Sequence, residues 1–274
     1  MSSVMESGML GWVDGVPMFR QWTVETIDES GAFVNSGTRG STGRGKSIQD
    51  WTGSFQAHGL MPARLPGEAF DFTGFLGNNK KLSGPAIVEA VSIEGSVETP
   101  GPIGNTVNFG ATGPLVPGTG HGDDDAIAQP EDGVDIKIYR GATPEALTEI
   151  PDVRGFTLSL SAALGSGVSS STAGHRRRKG GPTDLTLAIP IYADDMATLP
   201  TRGAAEVVKV EVGDVSWLLQ WLRWGNRSNF IVNRETGEII GCTLNAALTI
   251  VYGGELGQVV APDDSIWIGE GAGS

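Results

Sequence analysis

The sequence predicts a mainly-β protein built as two tandem repeats, with one α-helix in the second repeat. Two observations carry that prediction. The 274 residues include 41 Gly and 15 Pro, which punctuate the chain too often for long helices, while a hydrophobic content of 39% is enough for a core. The second observation is an ordered internal similarity, which settles architecture before any single motif does.

Residues 19–24 (FRQWTV) match residues 153–158 (VRGFTL), and each segment follows a turn containing Pro17 or Pro151. Residues 51–58 (WTGSFQAH) match residues 185–192 (LTLAIPIY), where alternating apolar side chains imply one buried face. The spacing from Trp22 to Trp51 is identical to that from Phe156 to Leu185. Between these landmarks lie Gly/Ser/Thr-rich basic loops, residues 35–47 and 165–181, so a long-looped hairpin is used twice. Residues 82–93 then align with 239–250 through Gly84 and Gly241, and residues 107–110 with 266–269.

That alignment places an insertion in the second half, because Gly241 follows Leu185 at a much longer spacing than Gly84 follows Trp51. The insertion holds the helix, residues 214–225. Asp214 is suited to cap its first turn, and Val215, Leu218, Leu219 and Leu222 make an apolar stripe at i, i+3, i+4 and i+7. Trp217, Trp221 and Trp224 add a second stripe, more than packing on one sheet requires, which leaves two readings: core packing alone, or a subunit-interface helix wedged between its own sheet and a neighbouring subunit. Repeat one is expected over residues 1–115, a Gly/Pro/Asp-rich connector over 116–133, repeat two over 134–269, and a flexible terminus over 270–274.

A net charge of −13 opposes a basic surface for nucleic acid. Seven basic residues, Arg39, Arg44, Lys46, Arg176, Arg177, Arg178 and Lys179, sit in the two loops and leave −20 on the rest of the chain. Basic arms meeting an acidic surface would steer assembly and fix its register; two solvated turns and a nucleic-acid arm are the other readings of the same residues. Cys242, the one cysteine, excludes an internal disulfide and fits a small buried strand residue in a protein folded in the cytoplasm. No stretch reaches the length of a membrane span, and residues 1–11 lack the regions of a signal peptide.

Residues 40–47 (GSTGRGKS) fit the phosphate-loop pattern G-x-x-x-x-G-K-[ST], whose mechanism needs a helix directly after the loop. Residues 48–55 read as a strand instead, so no nucleotide site is expected. His58, His121 and His175 have no ligand spacing, the run Asp123, Asp124, Asp125 lacks calcium-loop spacing, and no nucleophile motif is present. The expectation is a non-enzyme without cofactor, metal or small-molecule ligand.

Residues 46–55 (KSIQDWTGSF), with the long loop before them, resemble the strand start common in tail tube (major tail) proteins of long-tailed, non-contractile bacteriophages. The strand at 206–212, the helix after Asp214, a hairpin around Glu235, Thr236 and Gly237, and the strand at 242–252 look like the rest of that fold. The resemblance implies β-sandwich, barrel-forming repeats that polymerise into stacked rings around DNA, with the basic loops reaching the adjacent ring. Two repeats per chain imply a homotrimeric, pseudo-hexameric ring. Implied partners are further copies, tape measure, terminator and baseplate proteins, and DNA passing unbound through the lumen. The implied location is the virion tail, with assembly in the host cytoplasm. Competing readings are a two-domain β-sandwich binding module and another tail component such as a terminator or baseplate hub; a nucleotide hydrolase using Lys46 and Ser47 is a third.

Overall fold

Alternating apolar and polar side chains, broken at short intervals by Gly, Pro or Asn, give strands and turns rather than helices. The computed structural model of the chain describes residues 3–6, 16, 18–29, 32–33, 37, 43–44, 48–77, 79–99, 101–120, 135–193, 199–249 and 258–268. Apart from short 3₁₀ turns, every regular element among the described residues is a strand.

The first half contains β1 (Ser3–Glu6), β2 (Phe19–Glu29), β3 (Ala32–Phe33), β4 (Gly43–Arg44), β5 (Ile48–His58), β6 (Ala69–Gly77), β7 (Lys80–Ser96), β8 (Gly104–Ala111) and β9 (Val116–Thr119). The second contains β10 (Ile136–Gly141), β11 (Leu147–Glu149), β12 (Gly155–Ala162), β13 (Gly165–Gly167), β14 (Arg177–Lys179), β15 (Thr183–Tyr192) and β16 (Ala205–Val212). It ends with β17 (Val215–Trp224), β18 (Ser228–Val232), β19 (Ile239–Leu248), β20 (Gln258–Val260) and β21 (Ile266–Ile268).

Strand pairing repeats with a nearly constant numerical offset. In the β2–β5 hairpin Thr23 pairs with Ser54 and Ile27 with Asp50; raising every number by 134 gives Thr157–Ala188 and Ser161–Asp184 of the β12–β15 hairpin. The small hairpin inside each long loop obeys the same shift, since Ala32–Arg44 becomes Ser166–Arg178. Ala69–Ile87 in β6–β7 becomes Ala205–Arg223 in β16–β17 at a shift of 136. Thr52–Gly110 in β5–β8 becomes Thr186–Ala247 in β15–β19, which puts β8 and β19 at a shift of 137.

The offset therefore drifts only from 134 to 137, and the expected insertion does not exist. Gly241 corresponds to Gly104, not Gly84, and residues 266–268 pair with β20 rather than standing where 107–109 stand.

The structure also replaces the expected helix at 214–225 with a strand. Gly213, at φ +56°, and Asp214 form the tight turn between β16 and β17, the positive φ being one that glycine adopts without strain. A bulge sets Gln220 and Trp221 against Val207 alone, and Trp221 takes φ +62°. The buried face consequently reads Trp217, Leu219, then Leu222, Trp224. One extra residue in a period of two mimics the three-to-four spacing of a helix.

Each half has two layers. In the first, Phe72 of β6 packs 5.6 Å from Trp22 of β2 and 5.0 Å from Phe109 of β8; in the second, Trp217 of β17 lies 5.8 Å from Phe156 of β12. One continuous buried apolar cluster runs through both halves.

Candidate assembly interface

The halves meet edge to edge. β7 bends after the bulge at Glu89, so that residues 80–87 pair with β6 while residues 90–96 leave that layer and pair with β12, from Ala90–Ser161 to Ser96–Gly155. Gly155 is required there, because a Cβ would stand 2.3 Å from the Gly95 carbonyl oxygen. The result is a single antiparallel array of eight strands, in the order β2–β5–β8–β7–β12–β15–β19–β18.

Side chains clamp both ends of the joint. At one end the 165–181 loop folds back on the first half: the Arg176 amide donates to the Gln49 carbonyl at 3.0 Å, and the Gln49 amide to Gly174 at 2.9 Å. This brings Arg178 onto Asp50, Nη1 to Oδ1 at 2.7 Å and Nη2 to Oδ2 at 2.9 Å, with Nη1 also donating to the Ala111 carbonyl at 3.0 Å. Arg178 Nε lies 3.0 Å from Glu89, and Arg176 Nε 3.1 Å from Asp50. The Asp50 and Arg178 side chains are only 7% and 10% exposed, so the bidentate geometry has to offset two desolvation costs.

At the other end Arg154 pairs with Glu98 and stacks 4.6 Å from the Tyr192 ring, and the Tyr192 hydroxyl donates to Glu98 at 2.9 Å. The Arg154 hydrogen bond, then that from Tyr192, hold the Glu98 carboxyl below its ordinary value. An open groove of about 740 Å³ follows this end of the joint past Arg20, His58 and Pro190.

These contacts relocate the residues singled out from the sequence. Arg176 and Arg178, expected to reach an adjacent ring, are engaged within the chain; Arg177 and Lys179 are exposed. Arg44 lies in β4, and Arg39 and Lys46 lie outside the described residues, as do Asp123, Asp124, Asp125 and His121. Trp217 and Trp224, read as part of a helix packed in the core or against a neighbouring subunit, are core residues of a strand, β17; Trp224 Nε1 donates to Glu206 at 2.8 Å, and Trp221 is half-buried. The segment after the phosphate-loop pattern is β5, not a helix. No group of three His, Cys, Asp or Glu side chains is placed to hold a metal among the described residues.

No family model matches the chain, and no curated protein matches it.

The face of the array turned away from the core carries Gln21, Thr23, Thr52, Ser54, Gln56, Ser92, Thr106, Asn108, Thr157, Ser159, Thr186, Thr243 and Asn245, with Glu25, Glu89, Glu94 and Asp184, and Arg223 of β17 lies beside Thr157, Ser159 and Thr186. Neighbouring strands link across it, Gln21 donating to Gln56 at 2.9 Å and Thr23 sharing a hydrogen with Ser54 at 2.9 Å. Small neutral polar groups predominate on it, and most of the charges among them are carboxylates.

The array has two ends. At the β18 end no strand covers the outer edge among the described residues, and Phe230 and Val232 are 50% and 48% exposed. At the β2 end the N-terminal strand β1 covers residues 21–24. The sequence reading missed Asp50, Glu89 and Glu98, whose importance lies in pairing with Arg178 and Arg154 from the other half of the chain. Two short patterns do mark the equivalence: Gly-x-Thr-apolar-Asn at Gly104–Asn108 and Gly241–Asn245, and an Arg shortly before an Asp, at the same spacing, in Arg44/Asp50 and Arg178/Asp184.

Proposed function

We propose that the chain is a structural subunit that assembles edge to edge into rings, and that the rings are those of a phage tail tube, a conduit for DNA. The observation that supports this reading is the eight-strand array made of two equivalent four-strand units, its β18 end uncovered among the described residues and its β2 end covered by β1 at residues 21–24 alone. Exposed strand edges are a liability that closure removes. Three chains would place six equivalent units in one ring, the pseudo-hexamer implied by the family resemblance.

The polar face suits the lumen of such a tube. Binding of the phosphate backbone needs Lys and Arg, and a wall of hydroxyls and amides in a protein of net charge −13 offers DNA little to hold. No bond is made or broken in this role. Tape measure, terminator and baseplate proteins are the partners that the same reading supplies.

Size-exclusion chromatography with light scattering, followed by negative-stain microscopy at high protein concentration, tests it. Rings of three chains or hollow tubes are the expected result. A monomer at every concentration, for the full chain and for one lacking residues 1–6, would sink it.

A further inference from the structure

The geometry points to the joint between two copies: β18 of one copy adds antiparallel to the β2 edge of the next, and Arg44 of that next copy pairs with Asp184 of the first. This rests on the assembly part of the reading above and names its contact.

The joint inside the chain is the template. There the second half supplies β12 and the loop with Arg178, and the first half supplies the end of β7 and Asp50. Moving one unit along the array, the second half must supply the receiving groups and the first half of another copy the incoming ones. Asp184 is the counterpart of Asp50, and Arg44 is the counterpart of Arg178, each by the shift of 134. Asp50 Oδ1 accepts from the Trp51 amide at 2.9 Å, and Asp184 Oδ1 accepts from the Leu185 amide at 2.8 Å, so both carboxylates are held in the same way. Asp184 differs in being exposed, with no ion pair among the described residues.

The strand edges agree. Ser92 pairs with Thr106 on one side and Ser159 on the other; its counterpart Ser228 pairs with Thr243, the counterpart of Thr106, and has nothing opposite it on the outer side among the described residues. The counterpart of Ser159 is Glu25 in β2, which places Glu25 of the next copy opposite Ser228. The far end is complementary too. Arg20 and His58 stand where Arg154 and Tyr192 stand, and His58 Nδ1 is buried without a partner; the turn after β18, which matches the one carrying Glu98, offers Glu235 and Glu238.

The β2 edge is covered in the free chain by β1, which must therefore leave. It has somewhere to go. Ile136, which opens β10, precedes Gly155 by nearly the same length of chain as Ser3, which opens β1, precedes Gln21, the counterpart of Gly155. Yet β10 pairs with β16, whose own counterpart β6 has an unpaired outer edge among the described residues. β1 on β2 is thus a removable cover over the assembly edge.

The test uses Glu25→Cys and Ser228→Cys as separate full-length variants, mixed and oxidised. A disulfide-linked dimer in the mixture, absent from either variant alone, is expected. In parallel, Arg44→Glu and Asp184→Arg should each weaken assembly about ten-fold or more, and the two combined in one chain should restore it. Removing residues 1–6 should lower the concentration at which assembly sets in by about ten-fold. Assembly of the unmodified chain without the cross-link or the charge-swap rescue overturns this joint and leaves the tube reading standing. No assembly by full or truncated chain overturns both.

Discussion

Gly53 and Phe109 are directly paired across β5 and β8, and a Cβ on Gly53 would stand 2.6 Å from the Phe109 ring. Their counterparts, Leu187 and Ala246, are also directly paired, with the large and small residues exchanged. Volume is therefore conserved across the pair while each member is free to change. Gly53→Leu should cost about 1–3 kcal/mol by overpacking and Phe109→Ala about 3–5 kcal/mol by leaving a cavity. The double variant should cost less than the sum by about 1 kcal/mol or more, read from urea denaturation midpoints; strict additivity would remove the argument. Arg178→Ala should be worse than any surface change, about 3–5 kcal/mol, because it leaves Asp50 buried without its bidentate partner. His58 gives a pH signature. Burial first, then Arg20, lowers its pKa, so the unfolded chain takes up the proton at a higher pH than the folded one. Its contribution makes stability fall as pH drops through the ordinary histidine range and level off below the folded pKa. The pH dependence of unfolding between neutral and mildly acidic buffer should be shallower in His58→Gln.

At the scale of elements, the turn between β16 and β17 decides between a strand and a helix. A capping Asp214 would lose about 1 kcal/mol on replacement by Ala. As the second residue of a tight turn it should lose less than about 0.5 kcal/mol, whereas Gly213→Ala should cost about 1 kcal/mol because of its left-handed backbone. Thermal melts of the two variants check this, and the reverse order of costs would contradict the strand. The same element shows what was legible in the sequence and what was not. Period-two segments with fixed spacing, such as Trp22 to Trp51 and Phe156 to Leu185, revealed the twice-used hairpin because the loop length is the same in both halves. β17 was misread because its bulge at Trp221 inserts one residue and turns a period of two into an apparent helical stripe. β8 and β19 were missed as counterparts because glycine alone is a poor anchor, and Gly84 competed with Gly104 for Gly241. The Asp50–Arg178 clamp was invisible for a different reason: nothing local in the sequence requires two groups so far apart along the chain to meet.

For the whole molecule, the joint between halves is built like an interface between subunits yet is closed within one chain. It consists of the paired positions between β7 and β12, a nearly buried ion-pair cluster, an exposed Glu98–Arg154–Tyr192 cluster, and apolar packing continuous with both cores. None of the residues named in these contacts belongs to the connection between the halves, residues 121–134. Covalent linkage is then dispensable once the chain has folded. A protease site introduced at residue 125 and cut in the folded protein should yield two fragments that migrate together in gel filtration and separate in denaturant. Adding Arg178→Glu to the same protein should weaken that association, because it sets like charges face to face at Asp50 and Glu89, where mismatched contacts cost several kcal/mol. Fragments that part without denaturant would mean that the ladder and the clamp do not hold the halves. In that case the same geometry, transferred to the contact between copies, would lose its basis as well.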